Sequence, residues 1–259
     1  MNTAIAERFT RETASHRMIV FHDDGLYRHI RFQHHVLCND AEVRLGYSSY
    51  WFDLITWPGA LTINGDCGTY TFARDTDMFV FFRRHRTLRG DGFEINPQYW
   101  AEKLRAPEPA GAKKYSEDVF RQQVVDYVTE AIRYGDAPRG IGKAVRDEIF
   151  GPFAKWSIVY EEGAREALAE FAYGDTWTTV CTCGDSTDGL VYEAALDWRT
   201  QHRSQRGTGH FADLKQIEGF RFTDTWEWDL TDFDWQYLWC CHAIQWGIAQ
   251  YDISKAAAA

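Results

Sequence analysis

Trp51, Asp53, Trp57 and Asn64 fall within one short stretch of alternating residues, and they are the types from which a small-molecule site is built. Two indoles supply a flat apolar wall, while a carboxylate and a carboxamide supply orienting hydrogen bonds. His29 and Arg31 bring positive charge that can serve Asp53 or a ligand phosphate, if their strand lies alongside. A second basic group, Arg83, Arg84, His85 and Arg86 with Arg89 beyond it, has two uses. It can seat a phosphate or carboxylate, or it can complement the negative end of a helix dipole.

Other chemistry is thinner. Cys181-Thr182-Cys183 with His202 and His210 has the residue types of a zinc site, but structural sites pair their cysteines at wider spacing and keep the second ligand pair close. The expectation is therefore buried or loop thiols, with no metal and no cofactor. Cys240, Cys241 and His242 are consecutive, and consecutive helical residues point about 100° apart, so they read as core. Asp229, Asp232 and Asp234 sit where a helix start favours negative charge. The chain has no Gly-rich phosphate loop after a strand, no Gly-x-Ser-x-Gly elbow and no His-Glu-x-x-His, which removes the common enzymes with local signatures.

Positioning the first group requires a sheet. Residues 50–73 read as three strands joined by a turn at Pro58-Gly59 and a loop over Gly65–Gly68. Trp57 then faces Ala60, Thr56 faces Leu61, Leu54 faces Ile63, Asp53 faces Asn64, and Asn64 and Ile63 face Thr69 and Tyr70. Side chains alternate across a sheet, so Tyr50, Phe52, Leu54, Leu61, Ile63, Tyr70 and Phe72 form a core face. The other face carries Trp51, Asp53, Ile55, Trp57, Thr62, Asn64, Thr69 and Thr71. A hairpin precedes it, Arg17–His22 and Leu26–Gln33 about Asp23-Asp24-Gly25, in which Tyr27, His29, Arg31 and Gln33 share one side.

Around this meander the expected helices are residues 1–14, a segment capped by Asp75 or Thr76 and ending in the arginines, and one from Asn96-Pro97 through Arg105. Residues 34–46 read as loop and Ala106–Ala112 as linker. Ser116 caps a long helix with Val119, Phe120, Val124, Val125 and Val128 inward. Further helices are expected at Gly142–Phe150, Glu161–Tyr173 and Ser186–His202, then a strand at Gly219–Trp228 on the edge of the sheet. A last helix from about Asp232 to Tyr251 is apolar on nearly all sides, which implies burial across the core face. The fold class is α+β: an antiparallel five- or six-stranded meander sheet packed against helices, with a helical middle segment. Its parts are 1–105 (sheet with two short helices), 106–218 (acidic helical segment) and 219–259 (strand and helix completing the first core).

Charge separates these parts. Residues 1–105 hold 13 basic and 13 acidic side chains, whereas 106–259 hold 15 and 25, so the formal charge of -10 belongs to the second stretch. Phosphate-driven nucleic-acid binding needs a basic surface and is not expected. The longest apolar run is broken by Gln236, His242 and Gln245, so no membrane span is expected. With no secretion signal, the six cysteines read as reduced cytosolic thiols.

The stretches YWFDLITWPGALTINGDCGTYTFARDTDMFVFFR, INPQYWAEKL and YLWCCHAIQWGIAQYD, with their YWFD-x-x-TWPG and LWCC-type motifs, resemble a family of proteins encoded by tailed bacteriophages and prophages. The likeness runs over roughly 16–105 and 219–252. It brings no catalytic residues with it, and it implies an accessory protein acting in the cytoplasm of an infected bacterium. Three functions are compatible with the residues. The first is a non-enzymatic binding protein that sequesters a nucleotide-like antiviral signal, with Trp51 and Trp57 stacking on a base and His29, Arg31, Arg83, Arg84 and Arg86 meeting phosphates. The second is an inhibitor that docks an acidic helical surface on a basic host protein. The third is a hydrolase using Asp53 with His29.

Overall fold

Two tight turns and strict alternation build the central sheet, as the sequence predicts. The computed structural model describes residues 2–34, 49–84, 87–89, 92–107, 109–207 and 212–258. The chain divides into unit 1, Met1–Lys114 with Asp232–Ala259, and unit 2, Tyr115–Thr231. In unit 1, β1 (His16–Asp24), β2 (Tyr27–His34), β3 (Phe52–Trp57), β4 (Ala60–Gly65) and β5 (Gly68–Ala73) form an antiparallel meander. Every pairing expected for residues 53–70 is present, including Trp57 with Ala60, Asp53 with Asn64 and Ile63 with Tyr70. Gly59 takes φ +90°, which the two-residue turn after Pro58 requires and only glycine adopts freely.

A sixth strand, β6 (Leu104–Ala106), pairs with β5 through Thr71–Ala106 and Phe72–Leu104. The helix expected to run through Arg105 instead ends early: α3 is Pro97–Ala101, capped by the Asn96 side chain. Leu104 is buried, and pairing there satisfies backbone groups that β5 would otherwise present along an open edge. Likewise α2 is Met78–Arg84, and its cap is Asp77 rather than Asp75 or Thr76. Asp77 also grips Arg28 with both oxygens (3.0 and 3.2 Å), which is how an arginine is accommodated on the core-facing side of β2.

The last helix, α8 (Trp235–Ala258), lies on the core face. Its start is set by Asp234, which receives the Gln236 N–H and pairs with Lys114 at 2.5 Å. Tyr237, Trp239, Cys241, Ile244 and Ile248 are all buried, in one cluster with Ile30, Phe32, Phe52, Leu54, Leu61, Ile63, Tyr70 and Phe72. The opposite flank of α8 meets α1 (Asn2–Thr13), with Phe9 edge-on to Trp239 at 5.1 Å, and the Trp239 indole donates to Glu12. Burial on all sides is thus real, and it is why the helix carries no polar stripe.

Unit 2 departs further from expectation. Its helices are α4 (Glu117–Tyr134, capped by Ser116), α5 (Ile141–Glu148), α6 (Glu161–Glu170) and α7 (Tyr192–Arg206). It also holds an antiparallel sheet of β7 (Thr176–Cys181), β8 (Ser186–Leu190) and β9 (Ala212–Ile217), with β7 central. The helix expected from Ser186 therefore begins six residues late, because Gly184 at φ +93° turns the chain into a hairpin. Gly219–Trp228 forms no strand of the unit 1 sheet. Its alternation does turn Phe220 and Phe222 inward, but onto the helices of unit 2, and Asp224 at φ +54° ends the extended run. From the 219–259 stretch it is α8, with Phe233 packed beside it, that joins the first core. On α4, Phe120, Val124 and Val128 are buried, while Val125 is exposed.

Gly247 is where α8 comes closest to the sheet: a Cβ there would lie 2.8 Å from Leu54 Cδ1 and 3.0 Å from Phe32 Cε2. Gly247→Val should therefore destabilise unit 1 by about 2–3 kcal/mol, measured by denaturant unfolding, because a packed core cannot absorb the added methyls. His242, buried on the same helix, has its pKa pushed down to about 4 by loss of solvent, against 6.5 in an unfolded chain. Stability from keeping this ring neutral is present above its unfolded pKa and is lost as pH falls toward the folded value. Between about pH 7.5 and about pH 5 the wild type should lose about 2 kcal/mol more than His242→Leu, read from paired urea titrations.

Candidate functional site

Pairing of β2 with β3 sets His29 opposite Ile55 and Arg31 opposite Asp53, on the side of the sheet away from α8. The outer face therefore does gather His29, Arg31, Trp51 and Asp53. Asp53 is 4% exposed and receives two hydrogen bonds from Arg31, at 2.7 and 2.8 Å. Buried carboxylates need such compensation, and the planar guanidinium fork gives it with fixed geometry. Arg31 in turn lies 4.5 Å from the centre of the Trp51 ring and 5.5 Å from that of Phe21. His29 packs on Phe21 at 4.9 Å; its Nε2 is 3.2 Å from Asp53 Oδ2, but off the hydrogen-bond line and left without a hydrogen-bond partner.

Phe21 is the member that sequence reading missed; its outward position on β1 could have been found from the same alternation. Trp57, at 40% exposure, stands at the far end of β3, and Asn64 accepts a hydrogen bond from Thr69. Thr62 and Thr71 are bonded to each other across β4 and β5 at 2.8 Å. The face is thus an ordered polar and aromatic surface, with its central carboxylate already paired. A hydrolytic Asp53–His29 dyad is not what this geometry offers, since both Asp53 oxygens accept from Arg31 and the imidazole is misaligned.

The basic group behind α2 is divided. Arg83 is held by both oxygens of Asp252, at 3.1 and 2.5 Å, which removes it as an unengaged phosphate seat. The Arg84 side chain and Arg86 lie outside the described residues, as do Cys38 and nearly all of the 34–46 loop.

Unit 2 holds two further features. One is a cleft of about 450 Å³ between α4 and the 218–223 segment. Tyr127, Tyr134 and Phe220 form its walls, and Glu130, Asp136 and Glu218 line it. These three acids make no ion pair among the described residues. Arg221, also at the cleft, is committed to Asp175 at 2.8 Å, and that contact holds the Asp175 carboxyl down to about 2. The other feature is the meeting of Cys181, Cys183 and His202, whose ligand atoms all lie within 4.8 Å of one another. His210 lies outside the described residues.

Comparison with protein-family models, curated proteins and solved structures finds no match to this chain.

Removing one partner of the Asp53 pair should be costly, because the other charge stays buried. Arg31→Met is expected to lower stability by about 2–4 kcal/mol, and Arg31→Met with Asp53→Leu to recover much of that loss. A double-mutant cycle by chemical denaturation measures it; additive losses would mean that the two charges are not coupled.

Proposed function

We propose that this protein is a non-enzymatic binding protein that engages a basic protein segment through the acidic, aromatic cleft of unit 2. The observation that carries this reading is the set Glu130, Asp136 and Glu218, three exposed carboxylates that make no ion pair among the described residues, over a wall of Tyr127, Tyr134 and Phe220. Carboxylates attract a Lys or Arg head group, and aromatic faces accommodate both its stem and its charge. The charge distribution acts in the same direction, since the acidic excess lies entirely in residues 106–259. Unit 2 also exposes large aromatic side chains, Phe153 at 96% and Trp226 at 75%, as partner-binding surfaces do. The resemblance to bacteriophage proteins would make the partner a host protein and the bacterial cytoplasm the setting.

A second reading keeps the outer sheet face of unit 1 as a stacking shelf for a nucleotide-like antiviral signal. Trp57 is open, and Trp51 already carries a guanidinium on its ring. Phosphate recognition is the weak link, since Arg31 and Arg83 are each held by a carboxylate.

Calorimetric titration with Lys/Arg-rich and Asp/Glu-rich peptides, and with mononucleotides, separates the two. The cleft reading expects binding of basic peptides alone, weakened by salt and lowered about tenfold or more in Glu130→Gln/Asp136→Asn/Glu218→Gln. Nucleotide binding abolished by Trp57→Ala would instead favour the sheet face.

A further inference from the structure

The hairpin between β7 and β8 ends in a tight knuckle whose two thiols are met by a histidine from α7. Cys181 closes β7; its N–H bonds to Asp185 O at 2.8 Å, and the Gly184 N–H returns to Cys181 O at 2.9 Å. That turn brings Cys183 back beside Cys181, while α7, folding against β7 after the hairpin, delivers His202. The Cys183 Sγ to His202 Nε2 distance is 3.2 Å, and all three ligand atoms lie within 4.8 Å of one another. Two ligands on one tetrahedral zinc ion, each about 2.0–2.3 Å from it, stand roughly 3.5–3.8 Å apart. The three atoms are therefore close enough to converge on a common ion with small adjustments of the side chains.

From this geometry we propose that Cys181, Cys183 and His202 bind a zinc ion in unit 2. Two sulfurs and an imidazole are a donor set that suits zinc over the oxygen-seeking cations. His202 is aimed for this role: it is 8% exposed, and its ring stacks on Trp198 at 4.5 Å with planes 10° apart. With Nε2 turned to the thiols, Nδ1 faces Asp185 Oδ2 at 3.9 Å, and Asp185 is anchored by Arg206 at 3.2 Å. A carboxylate behind the non-ligating nitrogen is the usual support of a zinc-bound histidine, fixing its tautomer and orientation. Three protein ligands leave the fourth position to water or to a group beyond these three. The ion would tie α7 to the end of β7, in a sheet of only three short strands.

Titration of the reduced full-length protein with cobalt(II), followed by absorption, tests the site, because tetrahedral thiolate–cobalt centres show charge-transfer and intense visible bands. The expected result is saturation near one equivalent, with the bands displaced by zinc. Cys183→Ser should remove the charge-transfer intensity that its thiolate supplies and weaken binding more than about a hundredfold, whereas Asp185→Asn should weaken it about 10–100-fold and leave the spectrum intact. Cys183 is exposed, so its serine variant keeps the fold. Reduced wild-type protein that develops no such bands overturns the proposal, as does a Cys183→Ser variant whose spectrum and affinity match the wild type.

Discussion

Contact between α8 and the inner face of the sheet is the constraint on which unit 1 depends. Period-two alternation alone makes two equivalent faces; only when a fully apolar helix covers one of them does the register become energetically unique. Slipping any strand by one residue would turn Leu54, Ile63 and Phe72 to the outside and drive Asp53 and Asn64 against Trp239 and Ile244. The close approach at Gly247 makes this coverage tight, setting Phe32 and Leu54 directly on helix backbone. Arg28 is the exception on the inner face, tolerated because Asp77 and the Phe79 ring receive it at the rim.

That same constraint explains what was legible beforehand. Two tight turns and a strong alternation determine residues 50–73 locally, so register and core face follow from neighbours in sequence, whereas the partnership of Arg31 with Asp53, 22 residues apart, depends on β2 lying beside β3. What escaped reading depends on distant partners. Leu104–Ala106 is a strand only because β5 offers an edge, and nothing in its three residues announces it. In unit 2, Ser186–Leu190 has no clear alternation; it is extended because Gly184 reverses the chain onto β7. Gly219–Trp228 alternates, which puts Phe220 and Phe222 on one side, yet alternation cannot say which core receives them. Sequence spacing does not announce the thiol–imidazole cluster, because a turn and a returning helix, rather than a short sequence interval, bring Cys183 to His202.

Charge compensation distinguishes the two units more sharply than composition does. In unit 1 the partly buried Arg28, Arg31 and Arg83 each meet a carboxylate with paired hydrogen bonds. Such pairs keep buried polar groups satisfied and fix side-chain geometry, and they leave little net field for a ligand to feel. Around the cleft of unit 2 Glu130, Asp136 and Glu218 are exposed and make no ion pair among the described residues, which is tolerable because water screens them, and their negative field remains as a standing attraction for cations. Surface charge that is left uncompensated beside aromatic walls is better suited to recognition than to stability.

The proposed ion and the acidic cleft belong to the same unit, and the sequence between them suggests why each element is there. Asp175 immediately precedes β7 and ties Gln216, Gly219 and Arg221 to the start of that strand through its carboxylate. Gly219 and Arg221 border the cleft, whereas Cys181 closes the other end of β7. One six-residue strand thus anchors the cleft-lining segment at its start and the thiol knuckle at its finish. Short three-stranded sheets carry little hydrophobic stability of their own. A metal clamp at the knuckle would stiffen β7 from one end, and the carboxylate network at the other would hold the cleft segment in register with it.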